Sequence, residues 1–89
     1  MEAIRENIRV TIESLQDELV NLEPSLSVDD KIFDIRLMRA EASAIEFILI
    51  GVEGFEKELK QLKAIIQECN RLLNNLYLTR GEQNVRQAN

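Results

Sequence analysis

The side chains that most often carry chemistry are scarce in this sequence. Histidine is absent, and Cys69 is the single cysteine. Without histidine, the usual general base near neutral pH, the commonest metal ligand and every Ser–His or Cys–His pair are missing. One cysteine can form neither an intrachain disulfide nor a Cys-x-x-Cys metal site. The sequence therefore predicts no catalytic residue, no metal site and no cofactor, and a protein that is not an enzyme.

The remaining reactive groups have simpler interpretations. Cys69 lies between Ile66 and Leu73 on an apolar stripe, where a buried thiol has a raised pKa and little reactivity. We interpret it as a core residue rather than a nucleophile or redox sensor. Carboxylate metal sites in helical bundles combine inward glutamates with Glu-x-x-His motifs, which need the missing histidine. We therefore expect the glutamates of this region to lie on a solvated helix face. They are Glu41, Glu46, Glu53, Glu56 and Glu58.

Three arginines are the candidates for contacting a partner or a ligand. Arg36 and Arg39 lie in the most apolar half of the chain, and Arg71 lies among asparagines further on. A guanidinium can pair with a carboxylate across an interface or bind an anion such as a phosphate or a nucleotide. The sequence leaves two interpretations open. One is ion pairing with Asp34 or Glu41, and the other is a small anionic ligand at a subunit junction.

The charge balance and the apolar runs exclude other classes of partner. Eleven Lys and Arg against sixteen Asp and Glu give a net charge of −5. This balance disfavours phosphate-backbone binding and docking on an anionic membrane. The longest apolar run, 47–52, has six residues and is far shorter than the roughly 20 needed to span a bilayer. The first residues form no apolar signal core. We predict a cytoplasmic protein that binds neither nucleic acid nor membrane.

Helical periodicity dominates the first third of the chain. Apolar residues recur every three or four positions and predict a helix over 2–22, which Pro24 ends. The segment 23–27 is predicted as a loop. Ser27 followed by Asp30 resembles a capping box and predicts a second helix from residue 28. With three Gly and one Pro in 89 residues, the chain has too few turn residues for an all-β fold. We predict an all-α protein.

A long apolar stripe shapes the prediction for the rest of the chain. Its spacings of three and four residues pass through Gly51 and Gly54 without a change of phase, which predicts one long helix over 28–78, either straight or kinked at the glycines. The alternative is a break at 51–54, which gives an up-down-up bundle of three helices. The stripe consists of Phe33, Leu37, Ala40, Ala44, Ile48, Gly51, Phe55, Leu59, Leu62, Ile66, Cys69, Leu73 and Leu76.

The long-helix prediction leaves apolar surface without a partner. The first half of the long helix, 28–52, is apolar on two faces. The first helix, folded back antiparallel, covers one of them and leaves the other face and the second half of the long helix bare. Bare apolar faces of this size mark interaction sites, so we predict a helical hairpin or coiled coil that forms a homo-oligomer. A single domain at 1–79 is followed by a disordered tail at 80–89, which has one strongly apolar residue. The predicted oligomer interface is Phe55, Leu59, Leu62, Ile66, Leu73 and Leu76.

These features predict the function only in outline. We expect a non-enzymatic, homo-oligomeric helical module that acts through protein–protein interaction, as a small regulator, adaptor or chaperone does. Its partners would be itself and another protein. The alternative is an oligomer that binds a small anionic ligand such as a nucleotide at subunit junctions, through Arg36, Arg39 or Arg71.

Overall fold

The fold consists of three helices. The computed structural model describes residues 2–22, 24 and 26–88. Within these residues it contains α1 (Glu2–Val20), α2 (Val28–Leu49) and α3 (Glu56–Ala88), and no strand. The predicted all-α fold is confirmed. None of these helices, over the residues described, is both long and apolar enough to cross a membrane.

Helix α1 forms where its apolar spacing predicts it. Its inward positions include Ile12 and Leu15, which are buried because residues three and four apart share one face of a helix. The helix ends at Val20, two residues before the predicted end. Termination ahead of Pro24 agrees with the steric restriction that proline places on the residue before it.

Helix α2 begins at the predicted cap. Ser27 is extended, with φ −64° and ψ 163°, and its Oγ accepts a hydrogen bond of 3.1 Å from the backbone N–H of Asp30. This bond satisfies one of the donors that the first turn of a helix leaves free. Asp29 and Asp30 add negative charge in that turn, where the helix dipole favours it. The sequence located this boundary correctly.

The continuous helix predicted over 28–78 is wrong. Helix α2 ends at Leu49 and α3 begins at Glu56. Between them Gly51 has a φ of +86° and Gly54 a φ of +90°. Backbone conformations in this left-handed region are strained for residues that carry a Cβ. Helices commonly end at a glycine that adopts this conformation. The alternative with a break at the two glycines, and three helices, fits the structure.

The apolar stripe was misleading because it joins two different faces. On α2 its members Phe33 and Ile48 are exposed, whereas on α3 its members Phe55 and Leu62 are buried. The core of α2 is built from another stripe, which includes Ile35. The outer side of α2 and the inner side of α3 happen to continue in phase through the turn. Continuity of phase is therefore not sufficient to predict one helix.

Helices α1 and α3 run antiparallel to α2 in an up-down-up arrangement. Arg5, near the start of α1, contacts Gly54 in the α2–α3 turn. Arg80, late in α3, forms an ion pair of 3.6 Å with Asp29 at the start of α2. The core between the helices consists of Ile12, Leu15, Ile32, Ile35, Met38, Ala42, Leu49, Phe55, Leu62, Ile65, Cys69 and Leu73.

The last helix extends past the other two. The 33 residues of α3 span about 50 Å at 1.5 Å per residue, which accounts for most of the 57 Å length of the molecule. The predicted helix end at Leu78 and disordered tail at 80–89 are corrected, because α3 continues through Ala88. Gly81 does not have a positive φ. Arg, Glu, Gln and Ala in this segment favour helix, and extending an existing helix needs no new nucleus. Asn89 lies outside the described residues.

Candidate functional site

The face predicted as the oligomer interface is covered within the chain itself. Phe55, Leu62 and Leu73 are buried members of the core. The other three residues are half-buried and pack against that core; they are Leu59, Ile66 and Leu76. Helices α1 and α2 occupy the position that a second copy was expected to fill. The reason for assigning the interface to α3 is therefore removed.

The uncovered apolar surface lies instead on α2. Its outer face, opposite the core, consists of Phe33, Leu37, Ala40, Ala44, Phe47 and Ile48. Phe33 is 63% exposed, Phe47 81% and Ile48 69%. With roughly 200 Å² for each aromatic side chain, the two phenylalanines alone leave about 290 Å² in water. The largest apolar patch on a typical monomer is about 300–600 Å² and is often functional, so this face is the strongest candidate site.

Two charged side chains of opposite sign border the middle of the outer face of α2, one on each edge. A helix turns by about 100° per residue, which places Arg36 on the edge nearer α3 and Glu41 on the edge nearer α1. Both are exposed. Neither forms an ion pair with another described residue. A hollow of about 370 Å³ lies against Phe33, Arg36 and Leu37. The outer face thus has an apolar centre, with Arg36 on one border and Glu41 on the other, and the carboxylates of Asp29, Asp30 and Asp34 at the start of the helix.

The three arginines predicted as candidates do not converge on a common site. Arg39 donates from Nη1 to Oδ1 of Asn70 at 2.9 Å, which links α2 to α3. Arg71 pairs with Glu68 on its own helix, with Nε donating to Oε2 at 3.0 Å. The hydrogen bond from this guanidinium lowers the pKa of Glu68. Arg36 borders the outer face of α2. Two of the three are therefore engaged within the fold, and no observation favours an anion site.

A cluster that the sequence did not indicate fastens α1 to the α2–α3 turn. Arg5 donates from Nη1 to the carbonyl oxygen of Gly54 at 2.7 Å and to Oε1 of Glu58 at 3.0 Å. Its guanidinium lies over the Phe55 ring, 4.4 Å from the centroid. Glu58 is buried, and its Oε2 has no hydrogen-bond partner in the described part of the chain. No local sequence pattern could have indicated this contact, because Arg5 precedes Gly54 by 49 residues.

An acidic groove separates the end of α1 from α2. It has a volume of about 780 Å³, within the 300–1,000 Å³ typical of binding pockets. No lysine or arginine is among the described residues that line it. Both apolar side chains and carboxylates line it, and these are Leu22, Leu26, Leu37, Met38, Asp17, Glu18, Asp34 and Glu41. The sequence did not indicate this groove because its two sides come from different helices.

Cys69 has the position predicted for it. It is a free cysteine in the core, and burial raises the pKa of its thiol. A thiol that stays protonated is a poor nucleophile, so the core interpretation is confirmed. No three His, Cys, Asp or Glu side chains lie close enough to hold a metal ion in the described ranges. The glutamates considered in the sequence include Glu58, which pairs with Arg5 rather than facing solvent.

Comparison of the chain with protein-family models, with curated proteins and with solved structures gave no match. The candidate site is consequently defined by its own geometry, with the outer face of α2 as the principal surface and the acidic groove as the second.

Proposed function

We propose that this protein is a non-enzymatic helical interaction module that forms a homo-oligomer through the outer face of α2. The observation that carries the proposal is the exposure of Phe33, Phe47 and Ile48 on the side of α2 that faces away from the core. Burying large apolar side chains is the main driving force of association. This proposal moves the interface from α3 to α2 and keeps the predicted self-association.

A second copy is the occupant that the shape of this face favours. Its large side chains lie towards the two ends and the small residues Ala40 and Ala44 lie at the centre, so two copies can approach each other at the alanines with their phenylalanines packed together on either side. A two-fold interface needs such a self-complementary surface, because the same residues face each other across the axis. Small size also gives a reason for association, since a chain of 89 residues has a marginal core when alone.

The experiment that tests self-association is a measurement of mass by light scattering at high micromolar concentration. We expect the wild type to have at least twice the 10.3 kDa of one chain, and Phe47→Ser to lower the mass to that of a monomer. Val20→Ser is the matched control, since Val20 is 83% exposed but lies on α1, away from the outer face. A wild-type mass of one chain would contradict the proposal.

The acidic groove supports the second half of the proposal, which is binding of another protein. The groove shares Leu37 and Glu41 with the outer face of α2, and its other apolar side chains and carboxylates suit a basic amphipathic helix, with apolar residues directed inwards and lysine or arginine on the flanks. We therefore propose a regulator or adaptor that holds such a segment. The proposed location is the cytoplasm, as the sequence predicts.

A designed amphipathic peptide of leucine and lysine tests the groove by fluorescence anisotropy. We expect it to bind the wild type more tightly than a leucine–glutamate peptide of the same pattern, and to weaken with salt. Glu18→Lys should weaken binding, whereas the control Glu13→Lys, on α1 outside the groove, should not. Equal binding of both peptides, or equal effects of both variants, would remove the groove from the proposal.

A further inference from the structure

We propose that two copies associate with their α2 helices parallel and in register, joined by reciprocal ion pairs between Arg36 of each copy and Glu41 of the other. This inference rests on the proposed function, since it specifies how the outer face of α2 meets a second copy. It adds an orientation and two residues that determine it.

The seam itself has the spacing of a coiled coil. Phe33, Leu37, Ala40, Ala44 and Phe47 are separated by four, three, four and three residues, which is the heptad pattern of positions that face a partner helix. All five are exposed. The alanines at the centre allow the two helix axes to approach closely, and the phenylalanines close the seam at both ends.

The two charges occupy the positions that determine orientation in such a pair. Arg36 and Glu41 are five residues apart, which corresponds to about 140° around the helix and about 7.5 Å along it. They therefore lie on opposite edges of the seam, at the heptad positions from which charged side chains pair between helices. An arginine and a glutamate extending towards each other can cover that axial distance.

A parallel two-fold dimer places opposite charges together. Rotation about an axis parallel to the helices brings the Arg36 edge of one copy beside the Glu41 edge of the other, and it does so twice. Both side chains are without an ion-pair partner among the described residues of their own chain, so no existing pair has to be broken. The same rotation brings Asp29 of each copy beside Asp34 of the other, and the two Asp30 side chains together, at the start of the seam. Arg80 pairs with Asp29 there, and exposure to water weakens these repulsions.

An antiparallel dimer lacks this complementarity. Its two-fold axis places each edge beside the same edge of the other copy. If Phe33 of one copy is covered by Phe47 of the other, Arg36 faces Ser43 and Glu41 faces Glu41. Two carboxylates then meet and no opposite-charge pair forms. Charge complementarity across an interface determines its orientation and register more than its affinity. Arg36 and Glu41 therefore favour the parallel arrangement.

Charge exchange tests the pairing directly. We expect Arg36→Glu and Glu41→Arg each to raise the dimer dissociation constant, measured by sedimentation equilibrium, by roughly tenfold, because two pairs become repulsive in each case. The double exchange should return the constant to near the wild-type value. An equimolar mixture of the two single variants should form a heterodimer tighter than either homodimer. Lys63→Glu on α3 is the matched control, and circular dichroism checks that every variant is folded.

A cysteine variant gives an independent measure of orientation. In the parallel dimer the two copies of Ala44 face each other, so Ala44→Cys should form an intermolecular disulfide on mild oxidation. In the antiparallel dimer defined above, the same two residues are about 12 Å apart along the axis, beyond the roughly 7 Å that a disulfide can bridge between Cα atoms. Ala64→Cys, exposed on α3, is the control for random cross-linking.

The outcomes separate this inference from the proposed function. Recovery by the double exchange together with the Ala44→Cys disulfide would support the parallel dimer. A stable dimer that the single variants do not weaken, or that the double exchange does not restore, would overturn the pairing and leave self-association intact. A wild type that stays monomeric would overturn both.

Discussion

At the scale of single residues, Arg5 makes several specific contacts with the α2–α3 turn and the start of α3. Its guanidinium binds the carbonyl of Gly54 and the buried carboxylate of Glu58, and it covers the ring of Phe55. It therefore fixes the start of α1 against the α2–α3 turn. Removing one partner of a buried charge costs more than the pair contributes, because the other charge is left without compensation.

We expect Arg5→Ala to lower the free energy of unfolding by about 1–3 kcal/mol, as measured by urea denaturation. Adding Glu58→Gln to that variant should restore part of the loss, because it removes the buried charge that has lost its partner. Arg9→Ala, which breaks an exposed ion pair with Glu6, is the control and should cost under about 1 kcal/mol. If Glu58→Gln instead made Arg5→Ala less stable still, the proposed role of Arg5 would be wrong.

Cys69 makes the stability of the fold sensitive to alkaline pH. Burial raises the pKa of its thiol, so the folded state disfavours the thiolate relative to the unfolded chain, whose thiol has a pKa of about 8.5. This contribution to stability is complete below that pH and is lost as the pH rises through the folded-state pKa. We expect the wild type to lose stability above about pH 9 faster than Cys69→Ala. Urea titrations at several pH values measure this, and parallel pH profiles would contradict it.

At the scale of elements, the two glycines decide the fold. Gly51 and Gly54 have positive φ values, and a Cβ added at Gly54 would lie 3.2 Å from Nη2 of Arg5. We expect Gly51→Ala and Gly54→Ala each to lower the free energy of unfolding by about 1–2 kcal/mol. Gly81→Ala is the matched control. Gly81 lies inside α3 with open space around it, so alanine there should stabilise by up to about 1 kcal/mol.

Thermal unfolding monitored by circular dichroism measures all three glycine variants. Stabilisation by alanine at Gly51 and Gly54 would indicate a continuous helix and contradict the turn. The sign of the change is informative because the two arrangements predict opposite effects of the same substitutions.

The sequence was sufficient for elements whose signals are local. The spacing of Ile12 and Leu15 and the capping by Ser27 depend on neighbouring residues, and both were predicted correctly. The turn at Gly51 and Gly54 has local signals too, but the apolar stripe through it favoured a continuous helix. Since α2 is apolar on two sides, the sequence alone could not decide which side faces the core.

The candidate site was harder to predict for the same reason. Uncovered apolar surface was expected both on one face of 28–52 and along the Phe55–Leu76 stripe, but the interface was assigned to the stripe. Only the three-helix arrangement covers the stripe and leaves Phe33 and Phe47 outside. The contact of Arg5 with Glu58 depends on tertiary structure and has no local pattern. Contacts between different helices depend on how the helices pack together, and the apolar periodicity of one helix does not show this.

At the scale of the whole molecule, the proposed association would link stability to protein concentration. The core is small and is formed by short stretches of the chain. A chain of 89 residues therefore has a small free energy of unfolding when it is alone. A dimer that forms only from folded copies stabilises them by mass action, by an amount that grows with concentration. The melting temperature of this protein should therefore depend on its own concentration.

We expect the melting temperature of the wild type to rise by several degrees between about 2 μM and about 200 μM, since each kcal/mol shifts the midpoint of a domain of this size by about 4–8 °C. Phe47→Ser should melt at the same temperature at both concentrations. At the lower concentration it should be close to the wild type, because Phe47 is 81% exposed within one chain and contributes little to its own fold. A wild-type midpoint independent of concentration would contradict the link. A Phe47→Ser variant already destabilised when dilute would place that side chain in the core of the monomer, against its position on the outer face of α2.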